Sequence, residues 1–245
     1  MDGFQEVSGT QGVPTDVYWR RLAVVGMSEP LKVAVEGLTE HRFGDLDAFV
    51  VSKSSPGFSD ACIDRLREII RDAAAGRLGH LKFLVFDFAH SGEAGPRGDS
   101  AFQALVTEAA NLILQVPIVL VANARGLMSG ADLEFALACS MLIGEAGARF
   151  SFSADPIVSI GTYGFLAQKI GFVRAERLME SGDVLDAQQM HDLLLLKHVT
   201  ESGAGLDGIA SFLTRTAKRY NSCYGIYRAH RMATGAIRDG LRAYG

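Results

Sequence analysis

Apolar positions along this chain change period from stretch to stretch, and each change marks an element. LKFLVFDF (81–88) is apolar almost without interruption, the signature of a strand buried on both faces. AFQALVTEAANLIL (101–114) returns to apolar residues every three to four positions, which predicts an amphipathic helix, and QVPIVLVANA (115–124) predicts a second buried strand. Upstream, Ile63, Leu66, Ile69 and Ile70 follow SSPGFSDA at helical spacing. Before them VYWRRLAVV, LKVAVEG and LDAFVVS read as short strands joined as antiparallel hairpins. Downstream, SMLIGEA and ARFSF give two more strands. From Gly161 the pattern turns helical through YGFLAQKIG, FVRAERLMES, DAQQMHDLLLL, LDGIASFLTRTAKRY and a last segment ending RDGLRAYG, interrupted only by LKHVT. Strand–helix repeats followed by helices predict an α/β fold with a helical appendage. The divisions expected are a loose arm at 1–16, a core at 17–200 and a C-terminal helical region at 201–245.

One residue breaks this pattern. In ARGLMSGADLEFALAC (124–139), Glu134 sits in a helix with no polar face. The first N–H groups of a helix starting near Ser129 have no partner within the helix, and the helix dipole adds positive character there, so this end favours an anion. Ser129 and Asp132 match a capping box, which accounts for their polarity. Gly130 and Ala131 are small enough for a ligand to approach the backbone, and Ala131 N–H is the candidate donor. Glu134, one turn further in, has two readings: a carboxyl whose pKa is raised by burial for proton transfer, or the acid of a buried ion pair. The loop GEAGPRGDS lies at the carboxyl end of a buried strand, where α/β sheets collect ligands. Gly98 in that loop is either a second N–H donor or part of a turn capped by Asp99 or Ser100.

Composition narrows the function. The 245 residues are 48% apolar and 21% charged with net charge −4, which disfavours an electrostatic nucleic-acid binder. No linker divides the chain, so one domain is expected. The first residues carry neither a signal peptide nor a membrane span, and a cytoplasmic protein is the expectation. Cys62, Cys139 and Cys223 form no metal or disulfide pattern and read as small buried or indifferent thiols. His41, His80, His90, His191, His198 and His230 show no ligand spacing and read as surface histidines. Lys53 and Arg97 flank the expected pocket, as phosphate contacts or as solvated charge. Trp19, Tyr220, Tyr224 and Tyr227 read as packing groups.

VPIVLVANARGLMSGADLEFALACSMLIGEAGARFSF resembles the crotonase (enoyl-CoA hydratase/isomerase) superfamily, through the spacing of Gly126 and Gly130 and the glutamate four residues later. The likeness continues through YGFLAQKIGFVRAERLMESGDVLDAQQMHDLLLLKHV and covers roughly residues 45 to 200. PGFSDACIDRL and YGFLAQKIG look most like the branch that makes cis-2-unsaturated fatty-acid signals. The resemblance implies a crotonase/ClpP-like spiral of ββα units and a C-terminal helical trimerisation region, hence a homotrimer or dimer of trimers. It implies no permanent cofactor, with a coenzyme A or acyl carrier protein thioester as substrate. By position it implies Gly98 and Ala131 as the two N–H donors to the thioester carbonyl, and Glu134 as the proton-transfer residue.

The sequence also departs from the family. Where many hydratases have a second glutamate, SFSADPIVSIGT places Ala154. Asp155 is the candidate substitute, or else a turn residue before Pro156. Ala131 stands for the usual glycine, which a donor with negative φ tolerates. The rival readings are a catalytically silent member that binds acyl-CoA or a protein partner, and a Clp-type peptidase using Ser129. The latter lacks a histidine anywhere from 131 to 190.

Overall fold

The computed structural model describes residues 35–90, 92, 97–152 and 156–243, with the backbone alone at 156–160 and 235–243. Among them a six-stranded sheet runs in the order β1-β2-β3-β4-β6-β9, made of Leu38–Phe43, Ala48–Lys53, Phe83–Phe88, Val119–Ala124, Met141–Glu145 and His198–Thr200. β1 and β2 form an antiparallel hairpin, and every later pair in this sheet is parallel. A second sheet joins β5 (Leu127–Met128), β7 (Arg149–Ser151) and β8 (Val184–Asp186). The helices are α1 (Asp60–Ala74), α2 (Ser100–Gln115), α3 (Gly130–Ala138), α4 (Pro156–Ile170), α5 (Phe172–Ser181), α6 (Ala187–Asp192), α7 (Gly205–Ala217) and α8 (Tyr220–Ala243).

β3 and β4 are buried along their whole length, as their unbroken apolar runs require. Alternation along the strands divides the core in two. Phe49, Val51, Leu84, Phe86 and Leu120 face α1, α2 and α3. Val50, Phe83, Val85, Val119 and Val121 face α7, which buries Ile209, Phe212 and Leu213 against them. The final tyrosines pack on this second face, Tyr220 edge-on to Phe83 with ring centres 5.6 Å apart.

Two local expectations are corrected, and two short strands were not foreseen. The strand foreseen in LKVAVEG falls largely outside the described residues, and the hairpin partner of β2 is LTEHRF (38–43). The helix foreseen through 196 ends at Asp192, because Leu194 takes φ +62° and the amides of Leu195 and Leu196 fold back to Met190 O. β5 and β8, of two and three residues, were too short to carry a periodic signal. VYWRRLAVV and Trp19 lie outside the described residues. No helix among the described residues is long and apolar enough to cross a membrane.

Candidate active site

Parallel strands deliver β3 and β4 to the same end of the sheet, where α2 and α3 begin. Two helix N-termini, each with unpaired N–H groups, therefore open near the carboxyl ends of β2, β3 and β4. α3 starts at Gly130, whose φ of +52° is a left-handed conformation that a side chain would strain. Ala131 follows, fully buried with negative φ, as its substitution for glycine requires. Gly98 is exposed, immediately before Asp99, which caps α2 by accepting from Phe102 N at 2.9 Å. It lines an open cleft of about 450 Å³ with Pro56, Gly57, Phe58, Ser59, Arg97 and Asp99.

Glu134 is 1% exposed. Its Oε1 accepts a hydrogen bond from Gln103 Nε2 at 3.2 Å, and no cation pairs with it among the described residues. The ion-pair alternative is thus not what these residues show. Burial raises the carboxyl's pKa above its ordinary value, and the Gln103 hydrogen bond opposes part of that rise. The carboxyl packs directly on the backbone of Gly161 in α4, where a Cβ would lie 2.0 Å from Oε1. Since Gln103 lies in the first turn of α2, that helix's N-terminus reaches the same carboxyl.

Asp132, two residues earlier, has the opposite surroundings. The capping box is not formed: Ser129 is the N-cap of α3, but its side chain makes no capping hydrogen bond. Asp132 instead turns inward to Lys53 and His90. Lys53 Nζ is 3.1 Å from Oδ1 and donates to Oδ2 at 3.3 Å, and His90 Nε2 is 3.0 Å from Oδ2. All three side chains are almost completely buried. Lys53 is therefore neither solvated nor placed to meet phosphate, and His90 is not a surface histidine. Lys53 Nζ also donates to Ser55 O and lies 5.0 Å from the centre of the Phe58 ring. Its burial had a signal: in LDAFVVSK, Lys53 shares the inward parity of Phe49 and Val51. Arg97 is engaged as well, donating to Phe58 O at 2.6 Å and pairing with Asp60 and with Asp99.

On the opposite face of the sheet, Ser52, Asp87 and Asn123 stand side by side in register. Asp87 accepts from both neighbours and from Arg125. This network closes the strand ends under α7 and does not touch Glu134. Cys62 and Cys139 are buried, and burial pushes their thiols up to about 11 and about 12, so neither is a thiolate at neutral pH. Asp155 and Ala154 lie outside the described residues.

No family model matches the chain. Among curated proteins it is 33% identical over 115 residues to the mitochondrial methylglutaconyl-CoA hydratase of Rattus norvegicus, covering 46% of this chain and 35% of the relative. The chain thus spans little more than a third of the length of the curated relatives it matches. Among solved structures it superposes on a monofunctional enoyl-CoA isomerase from M. smegmatis with a TM-score of 0.63 at 18% identity, covering 78% of this chain and 90% of that one. An enoyl-CoA hydratase from Mycobacterium avium subsp. paratuberculosis K-10 gives 0.66 at 19% identity, covering 83% and 88%. At these identities the likeness is one of fold, and two named activities share it.

Proposed function

We propose that this chain, whose fold is shared with solved enoyl-CoA isomerase and hydratase structures, is an acyl-thioester enzyme of the crotonase (enoyl-CoA hydratase/isomerase) superfamily in which Glu134 transfers a proton. The observation that carries the reading is a buried carboxyl with a raised pKa, held by an amide and by no described cation, beside the N-termini of α2 and α3. In this reading the thioester carbonyl accepts from Gly98 N–H and Ala131 N–H. These stabilise the negative charge that develops on its oxygen, and losing one such donor costs about 3–4 kcal/mol of barrier.

For double-bond migration, Glu134 takes a proton from carbon, the charge moves onto the carbonyl oxygen as an enolate, and the same carboxyl returns the proton further along the chain. For dehydration, the proton removed from the α-carbon leaves with the hydroxyl as water. Either step needs one carboxyl cycling between its two states, which a pKa raised toward neutrality favours. Hydration is the more demanding reaction, because acid and base must act on one water. Asp155 is the candidate for that second role, and Asp155→Ala tests it by lowering hydration without abolishing isomerisation. The substrate is assigned as a coenzyme A or acyl carrier protein thioester, free of any permanent cofactor. The protein is assigned to the cytoplasm, without nucleic-acid or membrane partners.

Turnover of crotonyl-CoA and 3-hydroxyacyl thioesters by wild type and Glu134→Gln tests the assignment. Wild-type rates no higher than those of the variant leave the second reading, a silent scaffold that binds acyl-CoA or a protein partner. The peptidase reading finds no support in His90, whose Nε2 lies 3.0 Å from Asp132 Oδ2, outside hydrogen-bond geometry, and whose ring nitrogens make no hydrogen bond to Ser129. Trimerisation, implied by the resemblance, is proposed on the exposed apolar residues of α8. Ile209, Phe212 and Leu213 are consumed in the core, while Ile226 and Met232 remain exposed on α8. A monomer by light scattering at micromolar concentration contradicts it.

A further inference from the structure

We propose that the loop between β2 and α1, residues 54–59, is a brace that sets the spacing of the two backbone donors, with Lys53, Phe58 and Arg97 as its positioning residues. The inference rests on Gly98 and Ala131 being those donors. They come from separate crossovers, after β3 and after β4, so neither crossover by itself fixes the distance between them. A carbonyl shared by two N–H groups needs each held to within about 0.5 Å.

The sequence neighbours of both donors are fastened to this one loop. Next to Ala131, Asp132 is bound by Lys53, which in turn donates to Ser55 O and lies over the Phe58 ring. Next to Gly98, Arg97 donates to Phe58 O. Phe58 is also wedged between the two helices that the donors precede or begin. Its ring centre is 5.1 Å from that of Phe102 on α2 and 5.6 Å from that of Phe135 on α3. The loop's own far end is fixed by Ser59, which caps α1 by accepting from Cys62 N. Movement of the loop therefore shifts both donors together, and loosening either fastening lets one donor drift from the other. None of these hydrogen bonds is made by Glu134 or Gln103, but Phe58 packs on their sequence neighbours Phe135 and Phe102, so Arg97→Met, which removes no ring contact, is the variant that isolates the effect on the carbonyl.

The test uses crotonyl-CoA labelled with ¹³C at the thioester carbonyl, bound to proteins carrying Glu134→Gln so that the ligand stays unreacted. The bound resonance moves downfield in that background because both donors polarise the carbonyl. Adding Arg97→Met or Phe58→Leu removes at least half of the movement. In the otherwise wild-type enzyme, either change lowers kcat by about 10- to 100-fold with KM changed by less than about threefold, the pattern of a misplaced reacting group. Lys53→Met has the same effect, and combining it with Arg97→Met adds little to the worse single change, because both act through one loop. Lys53→Met leaves Asp132 short of a buried cation and risks misfolding; Arg97→Met, at a partly exposed position, carries the test without it. Full carbonyl displacement together with wild-type kcat in Arg97→Met overturns the brace. Crotonyl-CoA bound without displacement in the Glu134→Gln parent overturns the donor assignment and the brace with it.

Discussion

Asp132 and Glu134 sit two residues apart in one short buried helix, yet their carboxyls have opposite fates. Asp132 meets two basic side chains at 3.0 and 3.1 Å, and its charge is spent on holding the first turn of α3 to the ends of β2 and β3. Glu134 meets an amide at 3.2 Å and the bare backbone of a glycine, and burial pushes its proton affinity up. Helical geometry explains the divergence: two residues turn the side chain by about 200°, from the sheet side of α3 to the side covered by α2 and α4. A neutralised carboxylate in a low-dielectric site is a fastening, whereas one with no counter-charge is a reagent. The difference teaches that burial of an acid says little until its partners are known.

The largest expected effect separates the two by activity. Glu134→Gln lowers turnover by about 10²- to 10⁴-fold, the usual contribution of a general acid–base group. The same change alters stability with a definite sign. Because the folded-state pKa lies above the ordinary 4.5, wild-type stability is fully expressed at lower pH and declines as pH rises through the folded value. Glu134→Gln escapes that decline, so its denaturation midpoint overtakes that of wild type as pH increases from 4 to 8. A variant that gains nothing over this range contradicts the raised pKa.

Asp132→Ala is expected to act mainly on stability, by about 3–5 kcal/mol in chemical denaturation, because it leaves the Lys53 ammonium buried without its counter-charge. Gly161→Ala is next, at about 1–3 kcal/mol, since its Cβ collides with the Glu134 carboxyl. Paired with Glu134→Ala, the same substitution costs less, and an unchanged cost in the double variant shows that the collision is elsewhere. The smallest effect is that of Gln103→Ala. It removes the hydrogen bond that holds the carboxyl's pKa down, so the acid limb of the pH–rate profile moves upward. A limb that moves downward or stays fixed contradicts Gln103 as the partner of Glu134.

The apolar runs of β3 and β4, the spacing of Ile63, Leu66, Ile69 and Ile70 in α1, and the anomaly of Glu134 were all visible in the chain as written. Each depends on local periodicity or on one residue's misfit with its neighbours, and those are properties of sequence. Ser129 and Asp132 show the limit of that reasoning. Their spacing fits a capping box, and a cap is the best local use of a carboxylate at a helix N-terminus. Lys53 lies 79 residues away and offers a stronger partner that only strand pairing brings into reach.

What the sequence determined by itself was therefore the alternation of strands and helices and the identity of the acid out of place. The tertiary structure decided which charges meet. It set Gln103 against Glu134, Lys53 and His90 against Asp132, and Phe58 between α2 and α3. The physical reason is range: backbone periodicity is encoded within a few residues, whereas the electrostatics of a buried site depends on groups that become neighbours only after the sheet has formed.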